Sequence, residues 1–377
     1  MTFVQEPLIG SIGNACCLLA SLQIERPFLV LDEAAYEASG ARDALEPFVR
    51  QKAAVRFTEF ELNPKLEDVQ RGIEAFRLSQ ADFVIALGGG TAIDLAKLIS
   101  ALSAQSHAAR DIATGRSSIQ VAGRPLMAIP TTAGTGSEAT HFAVVYVDGK
   151  KHSVAHPSLL PDYAVVDSTL TESLPPRMTA ATGLDAFCQA VESIWAVAAT
   201  DESLEYATEA ARLAFENLVA ATNAPTLEAR QAMCRASHLA GKAINITKTT
   251  APHALSYALT SRYGVPHGMA VAFTLAPILA FNANVTNHDC TDPRGATAVR
   301  KRIARIVEVL GGGGVEAACA SFHKLLSQLD CGTLRDVCSE SDHAAIVDSV
   351  NTERLSNNPR RASREQLLDI LKRTEIS

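Results

Sequence analysis

Four side chains in the second half of the chain have the types and spacing to hold a divalent metal ion together. Asp185 and Gln189 stand four residues apart in GLDAFCQ, so on a helix both project from one face. His253 and His267 follow, separated by a stretch that includes Ala254-Leu255-Ser256-Tyr257 and a Gly264-Val265-Pro266 turn. That spacing can bring both imidazoles to one pocket. One carboxylate, two imidazoles and an amide oxygen form a mixed nitrogen and oxygen set that suits a borderline divalent ion. Taken singly, Asp185 near a helix start reads equally as a cap, and each histidine as a core or surface residue.

A second chemistry is written in the first half. Residues 83–87 (FVIAL) run into Gly88-Gly89-Gly90-Thr91, and Ala92 opens a helical stretch with Asp94 in its first turn. Glycines between a strand and a helix N-terminus let backbone N–H groups and the helix dipole face a phosphate. The run is neither GxGxxG nor a Walker loop, and a tight connection with no ligand fits its spacing equally well. A second loop, residues 129–138 (IPTTAGTGSE), again follows a strand and is dense in hydroxyls and glycines. It suits phosphate and ribose oxygens, or a capped polar turn. Asp32 ends another strand run. An acid there can accept ribose hydroxyls and repel a 2′-phosphate, which favours NAD(H) over NADP(H), or it can be a solvated loop acid.

These loops need a scaffold that delivers them to one edge. Apolar runs at residues 28–31, 53–57, 83–87, 126–129 and 163–166 alternate with helical stretches such as 65–77 and 92–104. That rhythm predicts a parallel α/β sheet, whose strand ends are where open sheets bind ligands. After Pro175-Pro176 the strands vanish, and residues 180–197, 202–220, 227–243, 269–281, 298–310, 315–329 and 364–373 read as helices. The expected division is therefore an α/β dinucleotide-binding domain over residues 1–176 and an all-helical metal-binding and substrate domain over residues 177–377. Residues 311–314 (GGGG) read as a loop.

Composition removes several function classes. The 377 residues are 47% hydrophobic and 20% charged, enough apolar material for more than one core. A formal net charge of -7 repels nucleic acid and anionic membranes, so a small-molecule substrate is expected, and an anionic one needs a local cluster of cations. The eight cysteines, at 16, 17, 188, 234, 290, 319, 331 and 338, form no CxxC pair, as expected of thiols in a reducing compartment. The first ten residues (MTFVQEPLIG) lack the basic and apolar regions of a signal peptide. No apolar stretch is long enough to span a membrane, and a cytoplasmic protein is expected.

Together, GGGTAIDLAK, IPTTAGTGSEAT, LLPDYAVVD, GLDAF and PHG, in this order and with a late Asn358-Pro359-Arg360, resemble the iron-containing (group III) alcohol dehydrogenases. The resemblance covers nearly the whole chain. It implies a nucleotide-binding α/β half and an all-helical half, with the cofactor and metal in the cleft between them. It implies NAD(H) or NADP(H), a divalent metal (Fe2+ or Zn2+), hydride transfer to an aldehyde, and a homodimer or larger homo-oligomer. Carried over, Gly88, Gly89, Gly90 and Thr91 are the pyrophosphate turn, with Asp94 beside it. Thr131, Thr132 and Thr135 are further cofactor contacts, and Lys151 reaches the ribose. Asp185, His253 and His267 fall on metal-ligand positions.

Two positions depart from the family pattern. Gln189 stands where members carry a histidine, and an amide oxygen is a weaker, neutral ligand. Tyr257 stands where a second histidine lies near the nicotinamide, and its phenol can protonate an alkoxide or simply fill the pocket. The segment before His253 also differs. Residues 247–253 (TKTTAPH) resemble the branch of the family that reduces phosphonoacetaldehyde to 2-hydroxyethylphosphonate. One lysine among threonines is a compact donor set for an oxyanion. Lys248, Thr249, Thr250 and Arg262 are the expected phosphonate anchors. A generic primary-alcohol dehydrogenase, a dehydroquinate synthase-like lyase and a non-catalytic nucleotide-binding protein are the alternatives.

Overall fold

The computed structural model describes residues 10–350 and 352–373; residues 1–9, most of the stretch read for a leader, lie outside the described residues. The chain divides into two compact units, Met1–Leu174 and Pro175–Ser377.

In the first unit, strands β1 (Pro27–Leu31), β2 (Val55–Phe57), β3 (Phe83–Gly88), β4 (Leu126–Pro130) and β7 (Tyr163–Ala164) form a parallel sheet in the order β2-β1-β3-β4-β7. Its two faces feed two cores. Phe28, Val30, Val84, Ala86 and Ala128 point into one, and Leu29, Leu31, Ile85, Leu87, Met127 and Ile129 into the other. Burial on both faces is why these strands read as unbroken apolar runs. Helices α1 (Ile12–Ser21), α2 (Glu33–Ala38) and α3 (Ala41–Gln51) line the second core. Helices α4 (Leu66–Ser79), α5 (Gly90–Ser103) and α6 (Ala109–Ala113) line the first. Strand β2 starts later than the apolar run because Ala53 has φ +47, a left-handed conformation that breaks an extended segment.

One element was not expected. Strands β5 (Phe142–Val147) and β6 (Lys150–Ala155) form an antiparallel hairpin. Asp148 and Gly149 join them, with φ of +50 and +74. An Asp-Gly pair with both residues left-handed is the signature of a two-residue hairpin turn.

The second unit is helical: α7 (Pro176–Trp195), α8 (Asp201–Asn223), α9 (Leu227–Thr247), α10 (Ala251–Tyr263), α11 (His267–Ala283), α12 (Ala296–Val309), α13 (Val315–Gln328), α14 (His343–Asp348), α15 (Thr352–Ser356) and α16 (Arg364–Arg373). Helix α7 packs against α8, α9 and α11, and α10 packs against α11. Helix α10 was not among the expected elements. Its residues 251–256, 258 and 259 are buried, so it shows no polar face to set the helical period, and Pro252 stands in its first turn, where proline is tolerated. Helix α7 also starts earlier than its apolar pattern, at Pro176. Asp185 therefore lies in mid-helix and does not cap a helix start. Among the described residues no helix is long and apolar enough to cross a membrane.

Among the described glycines of this unit, the one with least room for a side chain sits between two elements of the candidate metal site. A Cβ at Gly268, on α11, would meet the Ala181 carbonyl oxygen at 1.9 Å and the Asp185 nitrogen at 2.7 Å, both on α7. Only glycine lets the two helices approach this closely. Gly268→Ala is therefore expected to lower stability by about 1–3 kcal/mol or more in thermal or urea unfolding. Unchanged stability would contradict the packing described.

Candidate functional site

In the second unit, the donor atoms of Asp185, His253 and His267 all lie within 4.8 Å of one another. They arrive from α7, from the first turn of α10 and from the first residue of α11. Asp185 and His253 are buried and His267 is half-buried. The imidazoles meet edge to face, with centroids 5.3 Å apart and planes at 73°. Gln189 is buried one helical turn beyond Asp185 on α7. Tyr257, one turn beyond His253, lies nearly parallel to the His267 ring at 6.4 Å.

A residue that sequence reasoning did not single out completes this cluster. Glu192, two turns along α7 from Asp185, is fully buried. One carboxylate oxygen pairs with His253 Nδ1. The other accepts from the Thr250 backbone N–H at 2.6 Å and the Thr250 hydroxyl at 2.8 Å. On the opposite edge of the ring, His253 Nε2 meets Asp185 Oδ1 at 3.2 Å. Burial alone would lower the His253 pKa, but Glu192 and Asp185 outweigh it and push it up to about 10. The signal was present in the sequence: positions 185, 189 and 192 place three polar side chains on one face of the buried part of α7.

The residues present fit a divalent ion. Two buried carboxylates flank one imidazole, and even the doubly protonated, singly charged ring balances only one of them. The remaining buried charge is costly unless paired or metal-bound. A divalent ion in place of the Nε2 proton, with both imidazoles neutral, balances the two carboxylates.

The residues expected to anchor an anion separate in space. Lys248 is exposed, while Thr247, Thr249 and Thr250 are buried. Lys248 adopts φ +60 and ψ -174, a region nearly reserved for glycine that costs of order 1–3 kcal/mol. Asn357 clamps both sides of it: its side-chain amide donates to the Thr247 carbonyl at 2.8 Å and the Thr249 carbonyl at 3.1 Å. Thr250 is corrected. Its hydroxyl is committed to Glu192 and accepts from Trp195 Nε1 at 2.8 Å, so it orients the cluster and does not face a substrate. Arg262 is also corrected. It is exposed in the last turn of α10, twelve residues beyond Thr250. At 1.5 Å per residue the backbone has moved about 18 Å along the helix, which separates Arg262 from Lys248.

In the first unit the two expected loops meet at the C-terminal ends of β3 and β4. Gly88 has φ +145, and a Cβ there would strike the Asp32 and Ala92 side chains at 2.8 and 2.9 Å. A Cβ at Gly90 would meet Thr135 at 2.8 Å, and one at Gly89 would contact Thr132 at 3.5 Å. Gly89 caps α5 without a side-chain hydrogen bond. The Thr131 hydroxyl is buried with no hydrogen-bond partner among the described residues. A bare helix N-terminus in a glycine cradle fits a pyrophosphate. Asp32 caps α2 through Ala35 N–H at 3.1 Å, and Thr91 accepts from Asn63 N–H at 3.3 Å. Lys151 is half-buried on β6, opposite Tyr146.

Asp94 holds this edge together from within. One carboxylate oxygen accepts from the Ser137 hydroxyl and the other from Val144 N–H at 2.8 Å. It ties α5 to the second loop and to β5, and so fixes the loops of this edge. Sequence reasoning passed over its partner, Lys97. The Lys97 ammonium is buried and donates to Ser137 Oγ, Thr140 O, Thr140 Oγ1 and Phe142 O at 2.9–3.1 Å.

The comparisons with known proteins agree with this geometry. The model for iron-containing alcohol dehydrogenases matches residues 8–168. The model for the C-terminal part of the Fe-containing alcohol dehydrogenase family matches residues 179–374. The chain belongs to the iron-containing alcohol dehydrogenase family. It is an oxidoreductase of the alcohol dehydrogenase and aldehyde reductase class, in a family of iron-containing enzymes. It is 36% identical to a phosphonoacetaldehyde reductase of Streptomyces viridochromogenes over 77% of this chain and 75% of that protein. It is 30% identical to a sulfoacetaldehyde reductase of Bilophila wadsworthia over 96% of this chain and 95% of that protein. The crystal structure of a sulfoacetaldehyde reductase from Bifidobacterium kashiwanohense with NAD+ superposes with a TM-score of 0.85, at 28% identity, over 99% of this chain and 98% of that one.

Burial holds the Lys97 pKa down to about 8, against the pull of Asp94 and Glu138, from an ordinary value near 10.5. Between those values the unfolded chain binds a proton that the folded protein has released, so the Lys97 contribution to stability rises with pH. Urea unfolding of the wild type and Lys97→Met across that window is expected to show the difference shifting in favour of the wild type as pH rises. A constant difference would contradict the assignment.

Proposed function

We propose that this enzyme reduces a short aldehyde carrying a tetrahedral anion, with phosphonoacetaldehyde, giving 2-hydroxyethylphosphonate, as the first candidate. The observation that carries the reading is Lys248: an exposed cation on a strained backbone, clamped by Asn357 and five residues before His253. Strain of this kind persists where the surrounding structure over-determines it, typically at functional positions. In a chain of net charge -7, an exposed lysine on a clamped backbone segment five residues before a proposed metal ligand suits an anionic substrate. The similarity to the Streptomyces phosphonoacetaldehyde reductase supports the phosphonate. The similarity to sulfoacetaldehyde reductases over nearly the full chain supports sulfoacetaldehyde as the second reading.

Asp185, His253 and His267, with Gln189 as a weaker oxygen donor, would hold the divalent ion. When bound, the metal supplies Lewis acidity toward the carbonyl oxygen and the nicotinamide supplies hydride. Gly88, Gly89, Gly90 and Thr91 would hold the pyrophosphate, with Thr131, Thr132, Thr135 and Lys151 around the rest of the cofactor. Asp32, packed against Gly88, favours NAD(H) by repelling a 2′-phosphate. Tyr257 would deliver the proton to the nascent alcohol oxygen, and Lys248 and Thr249 would hold the distal anion. All eight cysteines are free thiols, which supports a reducing, cytoplasmic setting. A homo-oligomer is part of the same reading.

The test is NADH and NADPH oxidation by metal-reconstituted protein with phosphonoacetaldehyde, sulfoacetaldehyde, butyraldehyde and glycolaldehyde. The expected kcat/KM for the phosphonate exceeds that for butyraldehyde by about a hundredfold or more, about 2.7 kcal/mol of transition-state discrimination. Equal rates would overturn the anionic reading, and preference for sulfoacetaldehyde would select the second. Lys248→Ala is expected to raise KM for the anionic aldehyde by roughly tenfold or more and to leave that for butyraldehyde unchanged. Lys248→Gly should lose the same discrimination without a lower Tm, because glycine accepts this backbone conformation freely.

A further inference from the structure

We propose that Glu192 is the positioning residue of the metal centre: its buried carboxylate fixes the orientation and tautomer of His253 and pins the segment that carries Lys248 to the same point. The inference rests on the reading of Asp185, His253 and His267 as metal ligands.

Each contact of Glu192 has one role. A carboxylate carries no proton of its own, so His253 Nδ1 must donate to it. With a divalent ion in place of the Nε2 proton, the lone pair on the ring would lie on Nε2, the nitrogen that faces Asp185. Metal-bound histidines commonly donate their second N–H to a carboxylate in this manner, which fixes the ring and strengthens it as a ligand. The other oxygen of Glu192 takes both the backbone N–H and the hydroxyl of Thr250, and Trp195 Nε1 closes the chain on that hydroxyl. Trp195, Glu192 and Thr250 are all fully buried, so solvent cannot substitute for any of these bonds. Thr250 follows Lys248 by two residues and precedes His253 by three. One carboxylate on α7 therefore sets the position of an imidazole that faces the metal and of the turn that presents the exposed ammonium. Glu192 itself touches neither metal nor substrate.

Glu192→Gln separates these roles. The amide oxygen can still accept from Thr250, while its NH2 group faces Nδ1 and forces the proton onto Nε2. The zinc Kd of the full-length protein, measured by chelator competition, is expected to weaken about 10–100-fold, with the far-UV circular dichroism of the wild type. Histidine 15N NMR of the zinc-loaded wild type is expected to show His253 with Nδ1 protonated and Nε2 bound, and the variant to lose that pattern. Thr250→Val keeps the Glu192–His253 pair and removes one anchor of the carboxylate. A smaller, several-fold weakening is expected, and this variant serves if Glu192→Gln does not fold. Zinc binding at the wild-type Kd by Glu192→Gln, or by Thr250→Val where the former does not fold, overturns the proposal and leaves the ligand reading intact. Wild-type protein that takes up no zinc, or uptake that survives Asp185→Asn together with His267→Ala, overturns the ligand reading and the proposal with it.

Discussion

Two carboxylates, Asp185 and Glu192, are held with one imidazole in the interior of the helical unit, and much of that unit is shaped by keeping them there. Buried charge is tolerated only where partners are close and well aligned. Helix α7 carries both acids, so it must run unbroken through position 192 and be covered on several sides, as α8, α9 and α11 cover it. Gly268 lets α11 come close enough to deliver His267. Thr250 gives α10 its start and supplies two donors to Glu192. The same bonds leave Lys248 between a helix end and a clamped turn, where its backbone strain is sustained by Asn357.

The α/β unit solves a parallel problem with opposite means. The edge we propose for the cofactor needs bare backbone N–H groups; glycines occupy its turn and no side chain caps α5. Loops without side-chain contacts are poorly determined by themselves. Asp94 and Lys97 supply the order from below, a buried acid and base that tie α5 to the second loop and to β5. Rigidity is placed one layer beneath the loops of this edge.

Much of this was legible in the sequence where one period or one motif controlled the outcome. The parallel strands announced themselves as apolar runs because both faces are buried, and the glycine turn as a break between a strand and a helix. What escaped depended on contacts distant in sequence. Helix α10 shows no stripe because it is buried nearly all round. The β5–β6 hairpin escaped because β6 (KKHSVA) is mostly polar and shows no strand pattern, although an apolar run and an Asp-Gly pair precede it. Asp185 was placed at a helix start because the two prolines before it masked the true beginning of α7. Thr250 and Arg262 were grouped with Lys248 by proximity along the chain, whereas a helix carries one away and burial commits the other. Glu192 shares a helix face with Asp185 and Gln189, but its role is defined by His253, which lies sixty-one residues away.

The most direct measurement is anomalous diffraction from crystals of the protein reconstituted with iron or zinc. The expected result is a single strong peak bonded to Asp185, His253 and His267 at about 2.0–2.2 Å. Stoichiometric metal bound elsewhere, or no peak at these three residues in the reconstituted crystals, would contradict a metal centre built on this buried cluster.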